Sequence, residues 1–155
     1  MGHAIGLLSD ARVALINPEA MRHLLDTQPR IARALSWATL VDEAISRDWL
    51  VNVARREPYE RLAHLLCEMW MRMSTVGLVA DDCFDLPLTQ LQLGDTIGLT
   101  SVTVNRVPQR LRAKGLISLR DRQFTILDAA RLKEVGGFNG NYFDRERSGS
   151  ALVME

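Results

Sequence analysis

QLQLGDTIGLTSVTVNRVPQ, residues 90–109, reads as a complete helix-turn-helix. Gly94 sits four residues before Gly98, and apolar residues fall at Leu93, Ile97, Leu99, Val104 and Val107. Two helices that cross steeply need a small residue at the crossing, which Gly94 supplies. The turn needs a residue that accepts positive φ, which Gly98 supplies. The apolar set closes the core between the helices. Such a unit places its second helix in the major groove of DNA.

The flanks extend the pattern. Thr89 followed by Gln92 is a capping box, and Pro87 blocks propagation of the helix backwards. Thr100 is a natural N-cap for a second helix from Ser101 to about Lys114, which Gly115 ends. Two short β-rich runs follow, Leu116 to Leu119 and Gln123 to Leu127, with Asp121-Arg122 as the turn between them. A hairpin directly after such a helix makes a winged helix-turn-helix. The plainer alternative is an α+β core over 89–127 with no nucleic-acid role.

Charge separates along the chain although it balances overall, with Lys+Arg 19 and Asp+Glu 19. Residues 81–99 carry Asp81, Asp82, Asp85 and Asp95 and no basic residue. Residues 100–122 carry Arg106, Arg110, Arg112, Lys114, Arg120 and Arg122 against Asp121 alone. Cations gathered on one helix and its wing form an electrostatic footprint for phosphate. A neutral chain implies modest non-specific binding, so affinity is expected to depend on dimerisation and base contacts.

Composition excludes several classes. At 155 residues and 47% hydrophobic content, one or two small domains are expected. MGHAIGLLSD lacks a basic n-region, so no secretory signal is read, and no run approaches a membrane span. Cys67 and Cys83 form no CxxC pair, and a cytoplasmic location with reduced thiols is expected; Cys67 falls on an apolar helix face. His3, His23 and His64 pair with no Cys or acid at ligand spacing. No catalytic, metal or cofactor motif is found, and no enzyme is expected.

Upstream, Asn17-Pro18 opens a short helix to about Asp26, and Thr27-Gln28-Pro29 breaks it. Pro29 to about Val53 then contains no further Gly or Pro, enough for a helix of roughly 37 Å. Ile31, Leu35, Ala38, Ile45, Trp49 and Asn52 recur along it, interrupted by Asp42. So small a protein cannot bury such a helix fully. A dimer seam through Ile31, Leu35, Ala38, Ile45 and Trp49 is the expected sink, helped by small Ala34 and Ala38. Packing within its own chain is the alternative. Arg55 to Pro58 reads as a hinge. A further helix over about 58–73 presents Tyr59, Leu62, Ala63, Leu66, Cys67, Trp70 and Met71 as its apolar face. Its polar side carries Glu60, Arg61, Glu68 and Arg72, with Glu57–Arg61 and Glu68–Arg72 as ion pairs. Met69, Met71 and Met73 read as adaptable packing. Ser74 to Asp85 reads as a loop. A short helix from Ala129 to Val135 is capped by Asp128 and ended by Gly136-Gly137, with Phe138, Tyr142 and Phe143 packing under the wing.

The order long helix, REPYERLAHLLCEMWMRM, DLPLTQLQLGDTIGLTSVTVNRVPQRLRAKGLI, wing and FNGNYF resembles the C-terminal part of the Crp/Fnr family of bacterial transcription regulators. The resemblance spans roughly residues 5–143, and ERLAHLLCE, LPLTQ and GLTSVTVNR are its most specific words. It implies a mainly α fold with a small β-hairpin wing, a long dimerisation helix and a winged helix-turn-helix that binds a two-fold symmetric operator. Arg106 matches the arginine that contacts base edges, normally a guanine, and Ser101, Val102 and Thr103 match neighbouring base-facing positions. Thr89, Gln90, Thr100, Asn105, Arg110, Arg112, Arg120 and Arg122 complete the expected DNA-binding set. The implied partners are double-stranded DNA and a second copy of the chain, with RNA polymerase as an optional third.

Three departures stand out. Only HAIGLLSDARVALI resembles the final strands of the family's N-terminal sensor, so no effector residues carry over; the chain is expected to be a fragment or a shortened, constitutive protein. Val102 stands where many members carry glutamate. Pro108 lies inside the second helix, removes the hydrogen bond to the Val104 carbonyl and predicts a bend that redirects Arg110 and Arg112 towards phosphate. The expected organisation is a sensor remnant over 1–28, a dimerisation helix and hinge over 29–56, a winged helix-turn-helix domain over 57–143 and a disordered tail over 144–155. A second functional expectation is an interaction module that heterodimerises through 29–53 with a full-length relative and modulates it.

Overall fold

The computed structural model describes residues 6–7, 10–120 and 123–141, and of Ser101 the backbone alone. The expectations for the tail over 144–155, for Tyr142 and Phe143, and for Asp121-Arg122 at the wing tip lie outside these residues. The chain divides into two compact units, Met1–Arg47 and Asp48–Glu155. The second unit begins inside the long helix, at Asp48.

In the first unit, helix α1 runs Pro18–Thr27. Asn17 caps it by accepting from the Ala20 amide at 2.7 Å, and Pro18 takes the first helical position, where a missing N–H costs nothing. Helix α2 runs Pro29–Arg55 and enters the second unit. Its N-terminal half leaves Ile31, Leu35 and Leu40 at 39%, 42% and 56% exposure. Ile45, in contrast, is already buried. No helix among the described residues is long and apolar enough to cross a membrane.

The second unit is built around helix α3, Pro58–Thr75. Every residue from Leu62 to Glu68 is buried, because neighbours cover this helix on more than one side. Helix α6, Ala129–Gly136, packs along it, with helices α4, Gln90–Ile97, and α5, Ser101–Ala113, against other parts of its surface. Asp128 caps α6 through the Arg131 amide at 2.9 Å, and Gly137 closes it at φ 53°. Leu62, Leu66, Ile97, Leu111, Leu116, Phe124 and Leu132 form the innermost core.

The wing gains a strand at Cys83–Asp85, where the sequence pattern of Ser74 to Asp85 predicts a loop. Strands β1, Cys83–Asp85, β2, Ile117–Arg120, and β3, Gln123–Ile126, form an antiparallel sheet in the order β1-β3-β2. Phe84 pairs with Phe124, and their rings lie 5.1 Å apart. Asp81 and Asp82, both at positive φ, make the two-residue turn in which Ala80 and Cys83 exchange backbone hydrogen bonds. β1 exists because the tight turn delivers Phe84 to the core beside Phe124.

Several polar expectations change. Glu68 is buried, not solvated: it accepts from Trp49 Nε1 at 2.7 Å and from Arg72 Nε at 2.9 Å, so the predicted Glu68–Arg72 pair forms inside a larger network. The Glu57–Arg61 pair does not form. The Glu60 carboxylate caps the Glu57 amide, and Arg61 donates to the carbonyls of Arg56 and Ile97 at 2.9 and 3.1 Å, tying the start of α3 to the end of α4. Phe138 packs edge-on against His64 of α3, 5.2 Å between ring centres. Trp49, expected in a dimer seam, is half-buried and turned onto Glu68 and His64 of its own chain.

Candidate nucleic-acid interface

The interface begins with the cap of α4. The Thr89 hydroxyl accepts from the Gln92 amide at 3.2 Å, and the Gln92 side chain accepts from the Thr89 amide at 2.8 Å, which is the reciprocal box read from the sequence. Gly94 is buried where α4 meets α5. A Cβ added there would stand 3.3 Å from both the Leu99 carbonyl and Val104 Cγ2. Gly98 closes the helix at φ 65°, and the Leu99 amide then donates to the Gly94 carbonyl at 2.8 Å. Both glycines are needed, one for space and one for backbone conformation.

α5 starts after Thr100, but not by the expected side-chain cap. The Thr100 hydroxyl makes no hydrogen bond to the helix backbone and pairs with the Thr103 hydroxyl at 3.0 Å. The inward row of α5 is Val104, Val107 and Leu111, all buried. That row fixes the helix rotation and turns Val102, Asn105, Arg106, Gln109, Arg110 and Arg112 outward. Val102 is 61% exposed, high for a valine. The helix continues through Pro108 to Ala113, and the Leu116 amide returns to the Leu111 carbonyl at 3.1 Å across Gly115 at φ 68°.

Two concavities flank the outward face. Glu57, Pro58, Tyr59, Thr103, Arg106, Val107 and Arg110 line a cleft of about 310 Å³ between α5 and the start of α3. Gln109, Arg112, Ser118 and Arg120 line a more open groove of about 590 Å³ between the end of α5 and the wing. The structure thus brings Thr103, Arg106 and Arg110 together in one cleft, and Arg112 and Arg120 in the other. Thr89 and Gln90 lie exposed at the start of α4. The side chain of Ser101 and all of Arg122 fall outside the described residues. Among those residues no carboxylate pairs with Arg106, Arg110, Arg112 or Lys114, so their charge is available to an outside anion.

Tyr59 is the member that sequence reasoning assigned to the core alone. Its ring carries the Arg110 guanidinium at 4.4 Å and the Lys114 ammonium at 5.1 Å. Gln109 and Ser118 were likewise not singled out. Among the described residues no group of three or more His, Cys, Asp or Glu gathers in a metal-holding arrangement.

The family described as Crp-like helix-turn-helix domain matches residues 60–135. The "Transcriptional activator protein FnrL" of Cereibacter sphaeroides is 29% identical over 133 residues, covering 83% of this chain and 54% of the relative. The "Nitrogen fixation regulation protein FixK" of Bradyrhizobium diazoefficiens is 27% identical over 109 residues, covering 70% of this chain and 46% of the relative. The chain spans about half the length of the curated relatives it matches. Among solved structures, FixK2 from Bradyrhizobium japonicum superposes with a TM-score of 0.68 at 24% identity, covering 81% of this chain and 61% of that one, a likeness of fold. One of these relatives is named as a transcriptional activator and the other as a regulator of nitrogen fixation.

Proposed function

With residues 60–135 matching the Crp-like helix-turn-helix domain, we propose that this chain is a sequence-specific DNA-binding regulator of transcription that acts as a homodimer on a two-fold symmetric operator. The observation that carries the reading is the outward face of α5. Val102, Thr103 and Arg106 stand on it over a packed inner row, next to cations that no carboxylate of the described chain neutralises. Arg106 reads a base edge, with guanine the match for its two-pronged donor geometry. Thr103 meets a thymine methyl or a phosphate. Arg110, Arg112 and Arg120 neutralise backbone phosphates on either side.

The exposed Ile31 and Leu35 support a seam between two copies along the N-terminal half of α2. Half-sites would then lie about one helical turn apart, roughly 34 Å. The name of one relative, a transcriptional activator, favours activation. On this reading RNA polymerase is the protein partner and the cytoplasm the place of action.

The test is selection from a random duplex pool, followed by fluorescence anisotropy on the enriched site with the unaltered chain and Arg106→Ala. Enrichment of a palindrome, and loss of discrimination at one base pair in the variant, are expected. Salt-sensitive binding with no enriched sequence would overturn the operator reading and leave the chain as a partner for a longer relative.

A further inference from the structure

Tyr59 is unusual among the residues around the interface. It lies in the first turn of α3, 8% exposed, and its hydroxyl is buried with no hydrogen-bond partner. A tyrosine kept only for packing would serve better as phenylalanine, because an unpaired buried hydroxyl costs stability. Its ring, however, borders the cleft shared with Thr103, Arg106 and Arg110, and two cations from the last turns of α5 rest on it. An arginine and a lysine on one ring repel each other. The π face offsets part of that repulsion and limits the rotamers of two long side chains.

We propose that Tyr59 is a positioning residue for DNA: it holds Arg110 and Lys114 as a pair at the mouth of the cleft, where together they receive a backbone phosphate beside the base read by Arg106. The inference rests on the nucleic-acid reading above and adds to it the residue that orders the phosphate-binding cations. The arrangement gives Arg110, exposed and without a carboxylate partner among the described residues, a contact with the Tyr59 ring. It also explains the tolerance of Glu57 at the rim of the same cleft. Two fixed cations outweigh one exposed carboxylate.

Binding is measured by anisotropy on a labelled mixed-sequence duplex of about 30 base pairs, across roughly 50 to 200 mM salt. The proteins are the full chain, Tyr59→Phe, Tyr59→Leu, Arg110→Ala/Lys114→Ala, and that pair combined with Tyr59→Leu. Tyr59→Leu is expected to bind about two- to five-fold more weakly with a shallower salt slope, whereas Tyr59→Phe keeps most of the affinity because the ring remains. In the Arg110→Ala/Lys114→Ala background, Tyr59→Leu should cause no further loss. A merely structural role would lower binding equally in both backgrounds, and that result overturns the assignment, as does unchanged binding by Tyr59→Leu. Absence of salt-dependent binding by the unaltered chain overturns the nucleic-acid reading itself, and this assignment with it.

Discussion

Gly136 lies against His64 so closely that a Cβ built on it would stand 2.6 Å from the His64 amide nitrogen and 2.9 Å from the Ala63 carbonyl carbon. The obstacle is backbone, which cannot swing aside as a side-chain tip can. This contact lets α6 lie along α3, and it brings the Gly136 carbonyl to His64 Nδ1 at 3.1 Å. Gly136→Ala is therefore expected to destabilise the second unit by about 1–3 kcal/mol, despite the better helix propensity of alanine. Urea unfolding followed by circular dichroism checks this. An unchanged midpoint would show that α6 can shift without cost.

His64 donates to that carbonyl from the centre of the core, with Trp49 and Phe138 edge-on to its ring. Burial holds its imidazole below the ordinary value of 6.5, and the charge of Arg56 pushes the same way. The opposing contributions of the Gly136 carbonyl, Asp48 and Glu68 do not reverse the shift. The unfolded chain therefore takes up the proton first as pH falls. Stability is full above about 6.5 and declines below it until the lowered folded value is reached, with a slope of at most about 1.4 kcal/mol per pH unit. Unfolding free energies measured across this window should flatten in His64→Gln relative to the unaltered chain. Parallel curves for the two proteins would exclude His64 as the titrating group.

The helix-turn-helix was legible because its determinants are local. The Thr89–Gln92 box, Gly94, Gly98 and the apolar residues Leu93, Ile97, Val104 and Val107 all act within about five turns of chain, and the residue types name their own conformations. Strand β1 was not legible. It has three residues, and it exists through pairing with Gln123, Phe124 and Thr125, some forty positions away. Glu68 was misread for a related reason. Its i,i+4 partner Arg72 signals a solvated face, whereas Trp49, 19 positions earlier, closes the site from above. The place of Tyr59 in the interface has no signature in spacing, since an aromatic in the first turn of an apolar helix face looks like any other core group.

The two glycines of the turn should fail differently. Gly94→Ala brings 3.3 Å contacts not only with Val104 Cγ2 but also with the Leu99 carbonyl, which is backbone, so the gain of about 1 kcal/mol in helix propensity is offset and a small net loss is expected. Gly94→Leu overfills the crossing and should cost at least about 1–3 kcal/mol. Gly98→Ala meets only the Arg61 guanidinium, at an ordinary 3.8 Å, but forces a left-handed backbone, at about 1–2 kcal/mol. Melting temperatures should therefore fall in the order Gly94→Ala, Gly98→Ala, Gly94→Leu.

The two thiols should react unequally. Cys67 is buried, and desolvation pushes its thiol up to about 12, while Cys83 on β1 is half-buried. The thiolate is the reactive form, so an aromatic disulfide reagent at mildly alkaline pH should titrate Cys83 well before Cys67 in the folded protein, and both together in denaturant. Equal rates in the folded state would contradict the packing of Cys67.

The proposed dimer makes opposite demands on the two ends of α2. Leu35 is 42% exposed, so aspartate there removes apolar area from a seam without opening a core. Trp49 is half-buried, and its indole nitrogen donates to buried Glu68. Trp49→Phe leaves a carboxylate oxygen short of its donor and should cost about 1–3 kcal/mol. Leu35→Asp is expected to shift sedimentation velocity towards the monomer while the urea midpoint, measured at high dilution, stays near that of the unaltered chain. Trp49→Phe should lower that midpoint and leave the oligomeric state unchanged. If Trp49→Phe also dissociates the dimer, the seam extends to the end of α2 and the indole faces both partners. If neither variant changes sedimentation, the exposed face of α2 is not where two copies meet.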